Sequence, residues 1–208
     1  MKKHPKIISE IAPEYLVGID EAGRGPLAGP VAVGTVKIAK TFNTKFFKGI
    51  KDSKQLNEDE RNAWFRSAKI AQGNGELDFA VTLISHTIID KHGMTKAVQK
   101  GIKQNLLKLK VHPKKSHIYL DGLLKAPIEF EQQITVIKGD EKIPVISLAS
   151  IVAKVTRDKF MKNIAKKYPE YGFDRHKGYG TLEHRKAILK HGKTPIHRVS
   201  FLGRLLSE

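Results

Sequence analysis

Between Tyr15 and His191 the chain passes through five short apolar stretches of strand length, two of them adjacent at the start, interspersed with longer stretches of helical spacing. This order constrains the fold most, because such strands must share a sheet and one-sided helices must cover it. Tyr15–Asp20 (YLVGID) is an apolar run stopped by acids and glycines. Pro30–Ala39 (PVAVGTVKIA) is rich in β-branched residues and follows closely enough to pair with it. Asn57 heads a helix, with Glu60 as its capping-box partner and Trp64, Phe65 and Ala68 as its apolar face. Glu76–Ile84 alternates like a half-buried strand. His86–Leu109 reads mostly as helix, ended by Pro113. Ser116–Leu120 is a strand running into Asp121-Gly122, and Gln132–Ile137 is another, closed by Lys138-Gly139-Asp140. Leu148–Lys166 is a helix with Leu148, Ile151, Val152 and Val155 on one face. Thr181–His191 is a further helix, with Thr181 as N-cap and Gly192 just past its end. The expectation is one α/β domain over residues 1–208: a mixed sheet flanked by helices over 15–192, then a tail, 193–208, too short for a second domain.

Lys and Arg number 38 against 21 Asp and Glu, a net charge of +17. A folded chain this basic suits a polyanion, with nucleic acid first and an anionic membrane second. No apolar run approaches the roughly 18 residues of a bilayer span. The basic start, Met1 to Lys6, is not followed by a sustained apolar stretch, so no signal peptide is read. The absence of cysteine excludes disulfides, thiolate-bound zinc and a thiol nucleophile, and suits a reducing cytosol.

Asp20 and Glu21 stand where a buried strand ends, and a charge near a core is costly unless paired or metal-bound. In a straight strand they point to opposite faces. Gly23 and Gly25 allow a bend that could bring both to one site. Asp121 and Asp140 repeat the pattern after two further strands taken as part of the core. Singly, each is most often a solvated, capping or turn acid. Jointly they point to the strand ends where ligand sites of α/β sheets gather. Two carboxylates about 4 Å apart repel by about 4 kcal/mol at an effective dielectric near 20, so four together require a cation. Oxygen ligands suit Mg²⁺ or Mn²⁺ rather than zinc. In a basic protein such a site points to phosphodiester chemistry, with two ions activating water and stabilising the leaving oxygen.

Gly23-Arg24-Gly25 places backbone N–H groups beside a guanidinium, a combination that holds a phosphate or ribose, although a bare Gly-x-Gly is also an ordinary tight turn. Lys154 and Arg157 are three apart on one helix face and are expected to meet phosphates, the alternative being a solvated basic face. His176, Lys177, His184 and Arg185 lie near Tyr179 and could contact phosphates. The nine histidines show no metal-ligand spacing and are read mostly as surface residues, and Asp158, beside Arg157, is read as structural.

The segment GIDEAGRGPLAGPV (Gly18–Val31) closely resembles the opening signature of the type 2 ribonuclease H family, bacterial ribonuclease HII. The agreement continues through DSKQL (Asp52–Leu56), the Asp121-Gly122 pair, Lys138-Gly139-Asp140, ASIVAKVTRD (Ala149–Asp158), YPEYGFDRHKGYGT (Tyr168–Thr181) and PIHRVSF (Pro195–Phe201). The resemblance implies a ribonuclease H-like mixed five-stranded sheet, a short helical C-terminal part and cleavage of RNA in RNA/DNA duplexes. It maps the family's four metal-binding acids onto Asp20, Glu21, Asp121 and Asp140, with Mg²⁺ or Mn²⁺ in a two-metal site. It maps the motif that reads the ribose 2′-OH onto Gly23, Arg24 and Gly25, the tyrosine stacking on the following deoxyribose onto Tyr179, and a lysine near the scissile phosphate onto Lys54. The 2′-OH is the group that distinguishes RNA from DNA at one position. The implied partners are RNA/DNA hybrids and ribonucleotide-containing duplex DNA, met by a cytoplasmic monomer with no membrane association. Leu148 and Val199 depart from the family's usual residues, and the short stretch after Phe201 puts in doubt any substrate grip carried by a longer C-terminal extension. A metal-dependent DNA nuclease or junction resolvase of similar fold shares the carboxylates but needs no 2′-OH reader. A basic binding module would need neither.

Overall fold

All five apolar stretches enter one sheet in the computed structural model, which describes residues 13–203. The basic start and the last residues of the tail lie outside these. The strands are β1 (Tyr15–Ala22), β2 (Val31–Ala39), β3 (Leu77–Ile84), β4 (Ser116–Asp121) and β5 (Gln133–Val136), in the order β3-β2-β1-β4-β5. The short turn after β1 returns β2 antiparallel to it, and β3 is antiparallel to β2. The chain then crosses the sheet to lay β4 parallel to β1, with β5 parallel to β4. Parallel neighbours need a crossover; two helices within residues 86–108 supply the one into β4, and an irregular loop over residues 122–132 supplies the one into β5.

The helices are α1 (Glu58–Gly73), α2 (His86–His92), α3 (Met94–Lys108), α4 (Gly139–Lys142), α5 (Pro144–Ala165), α6 (Phe173–His176) and α7 (Leu182–His191). The expected capping box starts α1: Glu60 N–H donates to Asn57 Oδ1 at 3.0 Å and Asn57 N–H to Glu60 Oε2 at 2.7 Å. Thr181 caps α7, and Gly192 follows its end. One face of the sheet packs Val17, Ile19, Ile118 and Leu120 with Val98, Ile102 and Leu106 of α3. The other packs Val36 and Ile38 with Phe65 of α1 and Leu148, Ile151 and Val152 of α5. Helix α5 lies directly on the strands, and a Cβ on Gly18 would fall 2.3 Å from Val145 O.

Three expectations need correction. The stretch from His86 to Leu109 is two helices, because Gly93, at φ 81°, interrupts it. Helix α5 begins at Pro144 rather than Leu148; proline fits a first helical position, where its missing N–H has no partner to lose. The strand β5 is a short edge strand with Ile134 45% exposed, not a core strand. Among the described residues, no helix is long and apolar enough to cross a membrane.

Candidate active site

Strands β1 and β4 run parallel with Ile19 opposite Leu120, so the next residues, Asp20 and Asp121, end on the same face. Asp121 then builds the third position. Its Oδ1 accepts from Gly139 N–H at 2.7 Å and more weakly from Asp140 N–H at 3.4 Å, which holds the start of α4. From α5, the Ser147 hydroxyl donates to Asp140 O at 2.6 Å. The result is one carboxylate oxygen each from Asp20, Asp121 and Asp140, all within 4.8 Å of one another.

Glu21 does not join that group. The β1–β2 ladder runs straight through Glu21 to Ala22, and the turn at Gly23 comes too late to swing the side chain round. Its carboxylate faces the α3 side, in an open groove of about 500 Å³ shared with Arg24, Gln99, Asp121 and Lys125. There it takes a 3.2 Å salt bridge from Arg24, while Glu21 Oε2 is buried without a hydrogen-bond partner. Glu21 therefore stands outside the three-oxygen group, yet close enough for its charge to bear on Asp20, and it shares the groove with Asp121.

Carboxylates this close repel by roughly 3–4 kcal/mol per pair at an effective dielectric near 20. Burial, and then the Glu21 and Asp121 charges, hold the Asp20 carboxyl well above the usual carboxylate range, against the Ser150 hydroxyl, which favours the ion. Burial also raises Glu21, with Arg24 pulling the other way. The close oxygens of Asp20, Asp121 and Asp140, with the orphaned and buried Glu21 Oε2 nearby, fit a divalent cation with oxygen ligands.

Lys54 is the cation already present. Its Nζ donates to Asp140 Oδ2 at 3.1 Å and lies 4.0 Å from Asp52 Oδ2. Desolvation works against the ammonium, but the Asp140 hydrogen bond and charge outweigh it and raise its pKa. Asp52 escaped the sequence reading. It is buried, its Oδ1 accepts from Lys54 N–H at 3.1 Å, and with Asp140 and Glu141 it forms a second close carboxylate group. The DSK segment that pointed to Lys54 contained this signal.

Gly23-Arg24-Gly25 leads from β1 towards Tyr179. A Cβ on Gly25 would lie 4.0 Å from Tyr179 Cε1, and the Tyr179 ring is partly exposed. The two expected reader elements therefore face each other beside the acids. The expectation for Arg157 is corrected. Its side chain is buried, with Nε donating to Pro30 O at 2.9 Å and Nη2 to Ala28 O at 3.2 Å, and its guanidinium lies 5.8 Å from the Tyr179 ring centroid. It supports the backbone at Ala28 and Pro30 from below and reaches no phosphate, because that backbone covers it. Lys154 remains partly exposed and pairs with Asp158 at 2.9 Å. His184 and His197 are buried as well, against the expected surface placement, so His184 offers no phosphate contact.

The family model described as "Ribonuclease HII" matches residues 17–203. A ribonuclease HII from Endomicrobium trichonymphae is 44% identical over 188 residues, covering 89% of this chain and 84% of that protein. The crystal structure of a ribonuclease H2 from Pyrococcus horikoshii OT3 superposes with a TM-score of 0.70 at 28% identity, covering 93% of this chain and 100% of that one. Bst-RNase HIII, solved in complex with Mn²⁺, shares the fold with a TM-score of 0.68 at 20% identity, over 95% of this chain and 71% of that one.

Proposed function

Because the chain belongs to the ribonuclease HII family and is a ribonuclease H hydrolase, we propose that it cuts the RNA strand of RNA/DNA duplexes, including on the 5′ side of a single ribonucleotide embedded in DNA. The observation that carries this reading is that the loop leaving β1 beside the Asp20–Asp121–Asp140 oxygens ties Arg24 to Glu21 at 3.2 Å and brings Gly25 up to Tyr179. Acids alone would serve any metal nuclease. The reader beside them favours a substrate with a 2′-OH at one step and none at the next.

Asp20, Glu21, Asp121 and Asp140 would hold Mg²⁺ or Mn²⁺, and the Mn²⁺ complex of the HIII neighbour supports this choice. When bound, one or two such ions supply water activation and charge stabilisation at the phosphate. Water adds to the phosphorus 5′ to the ribonucleotide and the bond to the preceding O3′ breaks, leaving a 3′-hydroxyl and a 5′-phosphate. The chain's own groups bind and orient. Gly23, Arg24 and Gly25 hold the ribose, Tyr179 packs on the next deoxyribose, and Lys54 and the partly exposed Lys154 stand as the cations for backbone phosphates. The same reading makes the protein a cytoplasmic monomer that excises misincorporated ribonucleotides and removes primer remnants.

The test is cleavage of a labelled DNA duplex carrying one ribonucleotide, with Mg²⁺, Mn²⁺ or chelator, beside an all-DNA duplex and the Asp121→Asn variant. The expected result is a metal-dependent cut 5′ of the ribonucleotide, lowered at least about a hundredfold in Asp121→Asn. Cutting of long hybrids alone would keep the ribonuclease H class and remove the roles of Arg24 and Tyr179. Cutting of the all-DNA duplex would favour the DNA-nuclease reading.

A further inference from the structure

Two adjacent residues of the C-terminal segment, His197 and Arg198, reach the two halves of the reader from beneath, and both are buried. Arg198 donates from Nη2 to Gly23 O at 2.7 Å, from Nη1 to Arg24 O at 2.8 Å and from Nε to Gly29 O at 2.9 Å. These peptides are trans, and a trans peptide points its N–H opposite to its C=O. With the Gly23 and Arg24 carbonyls held on the guanidinium, the N–H groups of Arg24 and Gly25 are turned away from it.

His197 works on the other half. Its Nδ1 accepts from Thr194 N–H at 2.8 Å, which leaves the proton of the neutral ring on Nε2. That Nε2 faces His184 Nε2 at 3.1 Å. His184 Nδ1 lies 2.9 Å from Tyr179 O, which can only accept, so His184 is protonated at Nδ1 and its Nε2 is the acceptor. A directional chain therefore runs from Thr194 N–H through His197 and His184 to the Tyr179 carbonyl. Burial lowers both histidines to about 4, which keeps both rings neutral as the chain requires. Backbone bonds tie the same segments together: Gly29 N–H donates to Ile196 O, Arg198 N–H to Leu27 O and Leu27 N–H to Gly178 O, at 2.8–2.9 Å.

We infer that His197 and Arg198 are positioning residues for junction recognition, jointly fixing the Gly23–Gly25 loop and the Tyr179 loop across the step from ribose to deoxyribose. The inference rests on the junction reading proposed above. Filling space does not explain Arg198. Its guanidinium is held by carbonyls, and burial followed by the nearby Arg157 charge lowers it to about 9. An apolar side chain would fill the volume without desolvating a cation, so what the arginine adds is three fixed acceptor positions.

The test uses the full chain and compares a duplex with one ribonucleotide against an RNA/DNA hybrid of equal length. Arg198→Gln, His197→Ala and His197→Gln are measured for kcat/KM on both, for Mn²⁺ affinity by calorimetry and for melting temperature. Arg198→Gln and His197→Ala are expected to lose roughly tenfold to a hundredfold on the single-ribonucleotide duplex. The hybrid should fall far less, with Mn²⁺ affinity unchanged. His197→Gln, which keeps an N–H donor towards His184, should recover most of the loss. Parallel loss on both substrates in step with melting temperature, without recovery in His197→Gln, would overturn the inference. If Arg198→Gln does not fold, the His197 pair decides it. Tyr179→Ala separates the two levels: if it leaves the substrate ratio unchanged, the junction reading itself fails.

Discussion

Lys54 shows how much one side chain can bear on a carboxylate site. Its ammonium sits on Asp140 and near Asp52, so an incoming divalent ion must displace or adjust to it. Lys54→Met removes about 1 kcal/mol of repulsion towards that ion, or roughly fivefold in affinity. Mn²⁺ titration should therefore show tighter binding, while cleavage falls about tenfold or more because a cation near the phosphate is lost. Weaker Mn²⁺ binding would mean that Lys54 organises the acids rather than competing for them. Asp20 and Asp121 were legible in the sequence because strand ends in a parallel pair carry their side chains to one face. Asp52 was not, since it lies in a short turn with no periodicity to mark what its side chain meets. Arg157 was misread for a related reason. Helical spacing says which residues share a face but not that distant backbone will cover one of them.

Among the elements, the contact of α5 with the strands governs the site, since α5 supplies the Ser147 bond to Asp140 and the Ser150 hydroxyl near Asp20. Gly18 makes that contact possible, and a methyl there would meet Val145 O at 2.3 Å. Gly18→Ala should cost about 1–3 kcal/mol by overpacking, read as a lower urea midpoint at unchanged slope. Cleavage should fall with it, because α5 would lift Ser147 and Ser150 away from the acids. An unchanged midpoint would show that the helix can slide without loss. Most elements were legible where local chemistry marks their ends, as with the reciprocal Asn57–Glu60 cap and Thr181 before α7. The break at Gly93 and the start at Pro144 were missed because apolar spacing continues across both, while the backbone at those points obeys φ and a missing N–H instead.

The whole molecule pairs an acidic centre with a basic exterior. Four of its acids flank the end of β1, which leaves the remaining surface still more positive than the net +17 indicates. The two signs have separate tasks. The acids concentrate a divalent ion, and the Lys and Arg surface draws in a duplex whose own charge the acids would otherwise repel. Binding should therefore be steeply salt-dependent even when no metal is present. If the duplex meets about six phosphate contacts, log affinity falls with log salt at a slope near −5, taking the B-DNA coefficient. Fluorescence anisotropy of a labelled hybrid in a KCl series with chelator measures it. Adding Mn²⁺ should make binding tighter at every salt concentration while changing the slope little, since the ion neutralises acids at the centre and leaves the peripheral contacts as they were. A slope near zero would mean that the basic surface makes no extended contact with the duplex, and that the groove beside Arg24 and Asp121 holds the substrate alone.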